Sequence, residues 1–180
     1  MLVKNWFESD FSNLDPLLQK LHLSGGELSG DIDISYGKGI AGLIGKRLAK
    51  KMKLPSKGSH KLLVSIYHSS KGLHWDRTFN DDNIVESLFV PVGNNKNGYW
   101  VETTGPLKMK LTVDIVEGGW FWRCLNISLF GLPIPTFFVP KSQAYKIIEN
   151  SKYIFSVSFT YPLIGSLVSY RGALDAQYNE

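Results

Sequence analysis

Cysteine is nearly absent: Cys124 is the only one in 180 residues. No disulfide can form within the chain, so nothing points to an oxidising compartment. Long apolar runs are also missing, and none approaches the roughly 18 residues that a membrane-spanning helix needs. Met1 to Asp10 lack a basic stretch followed by an apolar one. No signal peptide is expected there, and the expected location is cytoplasmic. The four histidines, His22, His60, His68 and His74, show neither H-x-H nor H-x-x-x-H spacing. With a single cysteine beside them, no metal site is expected. There is no G-x-S-x-G elbow and no suggestive Cys–His pair, so no residue is assigned a catalytic role. Cys124 alternates with Trp122 and Asn126 and reads as a packed thiol. Repeats, low-complexity tracts and Pro- or Gly-rich linkers are missing as well. That leaves one expected domain, 1–180, with a helical segment at 1–23 and a β-rich body at 24–176.

Aromatic residues, by contrast, reach 13%, with five Trp and eight Tyr. They favour strands or a binding surface over a helical bundle. The net charge is +4, from 20 basic and 16 acidic residues. Seven of the basic residues, Lys38, Lys46, Arg47, Lys50, Lys51, Lys53 and Lys57, occupy one stretch without an acid. Removing them leaves 13 basic against 16 acidic residues, or −3. One basic segment on a mildly acidic body is too small a footprint for nucleic acid, but it suits an anionic membrane surface. Lys46, Lys50 and Lys53 are the expected membrane-facing residues; a helix whose apolar stripe covers the sheet and whose lysines are simply solvated would account for the same pattern.

Residues 10–22 have helical spacing, with Asp10 or Ser12 as candidate caps and Pro16 near a first turn. From Leu28 to Tyr36 the period changes to two. Residues 39–53 read as an amphipathic helix whose stripe is Ile40, Leu43, Ile44, Leu48 and Met52, with the lysines opposite. Strands then follow at 60–68, 73–80, 84–90, 98–104, 107–116, 120–130, 142–149, 153–161 and 166–176. Leu132-Pro133-Ile134-Pro135 cannot be a central strand. Short connections between consecutive strands predict a mainly β (α+β) fold: an antiparallel meander forming a strongly curved sheet or barrel of about eight to ten strands. The N-terminal helix and one amphipathic helix between the first two strands complete it.

Gly37-Lys38-Gly39-Ile40-Ala41-Gly42 has the G-x-G-x-x-G form of a dinucleotide-binding turn. The preceding strand alternates, however, and no further βαβ unit follows, so no cofactor is expected. Alternation puts Arg77 on one face with Trp75 and Phe79, Arg123 with Phe121, and Glu102 with Trp100. A guanidinium in apolar company must be paired or must face a wet cavity. The candidate ligand-binding set is Trp75, Arg77, Trp100, Glu102, Arg123, Tyr170 and Arg171, with the three arginines as anion donors. A structural ion pair between Glu102 and Arg77 or Arg171 would account for the same residues.

Five short motifs recur in order along the chain. They are Gly26-Glu27-Leu28-Ser29-Gly30, Trp75-Asp76-Arg77-Thr78-Phe79, Glu102-Thr103-Thr104-Gly105-Pro106, Gly131-Leu132-Pro133-Ile134-Pro135 running to Phe138-Val139-Pro140, and Pro162-Leu163-Ile164-Gly165 through Tyr170-Arg171-Gly172. In this order the chain resembles the bacterial domain-of-unknown-function family 4166. Lys141 stands where that family tends to have arginine, keeping the charge but losing the bidentate fork. The resemblance implies no reaction. It implies an accessory role, since members stand alone or are attached to dehydrogenase-like or membrane-embedded proteins. Two functions fit the residues: a binding module for a hydrophobic or lipid-like ligand, peripheral to the membrane, or an enzyme or accessory domain acting on a small anionic or isoprenoid-like substrate.

Overall fold

β1 (Gly26–Tyr36) is hydrogen-bonded antiparallel both to the next strand, β2 (Gly58–Ser69), and to the last, β11 (Gly165–Tyr178), in the computed structural model, which describes residues 2–80 and 83–179. The meander continues through β3 (Gly72–Phe79), β4 (Asn83–Val92), β5 (Tyr99–Thr104) and β6 (Leu107–Val116). On the other side of β1 it runs from β11 to β10 (Lys152–Tyr161), β9 (Lys141–Glu149) and β7 (Gly119–Leu129). Pairing of β6 with β7 closes a barrel of ten strands. The two-residue β8 (Leu132–Pro133) attaches to β7 outside the ring, as its proline requires. The turn expected at Asp81-Asp82 lies outside the described residues.

An eight-stranded barrel is just filled by its own side chains, and ten strands enclose more space than that. The N-terminal segment occupies the excess at one end. It comprises α1 (Leu2–Phe7), a 3-10 turn at Glu8–Asn13, and α2 (Pro16–Ser24). Val3, Trp6, Phe7, Phe11, Leu14, Leu18 and Leu21 are all buried among the strand side chains. Backbone bonds lock the plug to the strand ends: Asn95 N–H donates to Trp6 O (2.7 Å) and Asp15 N–H to Gly118 O (2.9 Å). The helix expected at 10–22 is thus split. Asp15, rather than Asp10 or Ser12, caps α2 by accepting from Leu17 N–H (2.8 Å), and Pro16 takes the first helical position.

α3 (Gly39–Lys51) packs on the outside of β11 and β1, and here the expected stripe is corrected. Its buried residues are Ala41, Gly45 and Ala49, whereas Ile40 and Leu43 are 68% and 67% exposed. The reason is close approach. A Cβ on Gly45 would collide with the carbonyl of Leu167, an outward-facing β11 residue that the helix buries completely. Only the smallest side chains fit that seam, so the large ones are turned away. Toward the helix C-terminus, Leu48, Met52 and Leu54 fold over the rim onto the core. The G-x-G-x-x-G glycines serve this packing: β1 is antiparallel to both neighbours, and a Cβ on Gly37 would meet Ser166 O. No helix among the described residues is long and apolar enough to cross a membrane.

Candidate functional site

An inward-facing side chain in a closed barrel meets solvent only through the lumen. At the end where α3 lies, one half of the wall is sealed. Ile34, Leu62, Phe79, Val85 and Val168 are buried beneath the α3 rim. The opposite half, from β5 round to β10, is not. Inward-facing Thr104, Met109, Cys124, Ala144, Val157 and Phe159 are only half-buried. Below them sit Arg77 and Glu102, whose side chains remain 20% and 11% exposed at mid-barrel. The lumen is therefore wet from the open half of the mouth down to these two charges.

Arg77 and Glu102 belong to a polar cluster in an aromatic wall. Arg77 Nη2 donates to Ser87 Oγ and lies 3.5 Å from Glu102 Oε1. Ser87 and Thr104 share a 2.7 Å hydrogen bond, and Thr104 Oγ1 is 3.4 Å from Glu102 Oε1. Alternation explains the convergence, since 75-77, 85-87-89 and 100-102-104 are the inward positions of three consecutive strands. The ion pair is long, and Arg77 Nε is buried without a partner among the described residues. Tyr170 is buried nearby; burial raises its hydroxyl pKa, and Arg77 opposes that rise. A guanidinium with spare donors, reached by solvent and flanked by hydroxyls, is equipped to receive an anionic or polar group.

The structure brings Trp75, Arg77, Trp100, Glu102 and Tyr170 together inside the barrel and excludes two expected members. Arg123 lies on the outer wall in a bidentate pair with Asp114 (3.0 Å for each bond). Arg171 is exposed on the outside of β11, beside a recess of about 560 Å³ that is also lined by Asp31, Asp33 and Asp175. Alternation decides both cases: Trp122 and Tyr170 point inward, so their neighbours point out. A register shift at Lys110/Leu111, opposite Leu125, then resets β7, so that Ile127 returns to the inside across from Met109.

Beneath the wet lumen lies a dry cage that sequence reasoning missed. Lys146 is 4% exposed, with Nζ 4.0 Å from the Trp75 ring centre and 4.1 Å from that of Trp120. It donates to Nε2 of the fully buried His22 (2.7 Å). His22 stacks on Trp120 at 4.4 Å. Its Nδ1 is 2.7 Å from the Leu18 carbonyl, which can only accept. The proton must therefore sit on Nδ1 of a neutral ring. A second proton on Nε2 would face the amine. One signal was available: Lys146 occupies an inward place in the series Ala144, Lys146, Ile148.

Burial, reinforced by Lys146, holds the His22 pKa well below 6.5. The unfolded chain then takes up a proton that the folded one refuses. Stability is complete above about pH 6.5 and falls as the pH drops below it. Urea unfolding should show a lower midpoint at about pH 5 than at neutrality, and His22→Leu should flatten that dependence. An unchanged slope in the variant would sink the assignment.

Comparison with curated proteins and with solved structures finds no match in either. The sequence pattern anticipated by the five motifs does match, over residues 14–174: the chain belongs to the family described as Domain of unknown function (DUF4166).

Proposed function

We propose that the barrel is a binding module for a hydrophobic or lipid-like ligand, held tail-up in the open half of the lumen with its polar end at Arg77, and that it works at the cytoplasmic face of a membrane. The solvent exposure of Arg77 and Glu102 from within a closed barrel carries this reading. Above them the lining is apolar, which suits the body of such a ligand. Native mass spectrometry of purified protein is the test. Wild type should carry a non-covalent adduct, or take up an added fatty acid, with one ligand per chain. Ala144→Trp, which fills the open half, should abolish uptake while leaving the far-UV spectrum unchanged. An empty wild-type barrel that refuses fatty acid would remove the proposal.

Lys46 and Lys50 on α3 and Lys53 just past its end are exposed and support the membrane part of the reading. Each contributes on the order of 1 kcal/mol near an anionic surface, screened within a Debye length. Binding to phosphatidylglycerol-containing vesicles should be salt-sensitive, and changing all three residues to Glu should abolish it. Vesicle binding that is indifferent to both changes would count against the lysines.

A second reading, an enzyme acting on a small anionic substrate, draws on the solvent-reached Glu102 carboxylate beside Thr104. Glu102→Gln separates the two, since a binding module keeps its ligand and turns nothing over in either form.

A further inference from the structure

The open end of the barrel carries an apolar rim that neither the core nor the lumen explains. Phe130 and Leu132 follow β7 and are 78% and 73% exposed. Phe137 and Phe138, whose rings lie 4.1 Å apart, form the next step, and both are exposed. Tyr161 ties this step to β10 by donating to Phe137 O (2.5 Å). Leu163 stands fully exposed in the β10–β11 turn. Gly37 N–H donates to Leu167 O (3.0 Å), which brings the N-terminus of α3, with Ile40 and Leu43, up beside that turn. The result is a crescent around the unsealed half of the mouth. Two of its tips hold a large apolar residue in the left-handed region, Phe130 at φ 51° and Leu163 at φ 73°, where glycine or asparagine is the ordinary choice. A fold that needed only a turn would not place these side chains there and leave them in water.

We propose that this crescent is a bilayer-inserting edge: the protein docks mouth-first on an anionic leaflet, with Phe130, Phe137, Phe138 and Leu163 between the headgroups and the α3 cations at the phosphates. The inference rests on the luminal reading for its purpose, since a mouth set into the leaflet lets a lipid-like ligand enter without crossing water. Its geometric basis is separate, because the rim residues do not line the lumen.

Charge selects the occupant. The seven cations of residues 38–57 are all exposed and share this end of the barrel. The plugged end is mixed, with Glu8, Asp10, Asp15, Glu117 and Glu149 set among Lys4, Lys20, Lys71, Lys96 and Lys152, so it has no comparable excess of cations. A second copy docked rim to rim would oppose two basic faces, whereas an anionic leaflet satisfies both the cations and the apolar tips.

The test uses phosphatidylcholine vesicles with and without phosphatidylglycerol. Leu163→Asp and Phe137→Asp should each lower the partition coefficient about tenfold on the anionic vesicles. Their side chains support no core, and far-UV circular dichroism verifies the fold. As a near-native second readout, a solvent-sensitive dye is placed at Leu163→Cys or, at the plugged end, at Lys71→Cys, both in a Cys124→Ser background. On binding, the dye at 163 should shift to the blue and the dye at 71 should not. Three outcomes would overturn the proposal: binding without a shift at 163, which makes the contact electrostatic only; equal shifts at both sites; or a solution dimer that Leu163→Asp dissociates. Mass spectrometry reports the lumen independently, so failure of one reading leaves the other measurable.

Discussion

A chain lacking residues 2–13 should be recovered unfolded or aggregated. The segment delivers Trp6, Phe7 and Phe11 to the core, and all are buried. Trp6 packs on Trp100 at 5.5 Å and Phe7 edge-on against Trp120 at 4.9 Å. Losing one buried aromatic of this size costs about 3–5 kcal/mol, and a domain's whole stability is about 5–15 kcal/mol. Three such losses together are as large as that whole stability, and without these rings water would enter among the luminal tryptophans. Trp6→Ala gives the graded version. It should lower urea-unfolding stability by about 4 kcal/mol, since it also deletes the bond from Trp6 Nε1 to Val92 O (3.3 Å). A truncated barrel with an unchanged unfolding midpoint would show that the plug is dispensable. The family match begins at residue 14, after all three anchoring aromatics, so this dependence concerns a part of the chain that the match does not reach.

Lys146→Ala should lose about 3–5 kcal/mol, while the double variant His22→Leu/Lys146→Met should stay close to wild type. Truncation opens a void between the Trp75 and Trp120 rings and strands His22 Nε2 in a dry site. The double variant removes donor and acceptor together and refills the space, and it also removes the burial that lowers the Lys146 pKa. A buried ammonium with a lowered pKa favours the folded state less as the pH falls below about 10.5, the ordinary lysine value. The double variant should therefore gain most at low pH. If Lys146→Ala unfolds with the wild-type midpoint, the cage is not the structural unit described.

Most of the wall was legible because alternation is a local property. Leu107–Val116 is placed as expected, with Met109, Leu111, Val113 and Ile115 on the luminal face. Arg123 and Ile127 were harder, because the bulge near Leu125 shifts the period and a shift cannot be read from either side of it. The inversion of α3 was illegible for a different reason. Apolar periodicity reports which face could be buried, while Gly45 and the Leu167 carbonyl decide how near the helix comes, and nearness selects the small face. Lys146 was missed because a lone lysine in a strand reads as solvated. Its partner His22 lies 124 residues away on the plug, so the pair exists only once the barrel has closed. Trp6 and Phe7 fall within the helical segment expected at 1–23, but nothing local says that a helix of six residues goes inside a barrel.

Closure also sets a timetable for folding. Gly26 in β1 pairs with Tyr178 in β11, so the ring cannot be completed until β11 has left the ribosome. Pairings of such long sequence separation place all-β domains in the millisecond-to-second range. Throughout that interval Trp6, Phe7 and Phe11, made before every strand of the barrel, have no wall to enter, and β1 has a free edge along its whole length. The nascent chain passes through its most aggregation-prone form before β11 arrives, and a holdase that covers the stretch from Trp6 to Tyr36 would shelter both hazards at once.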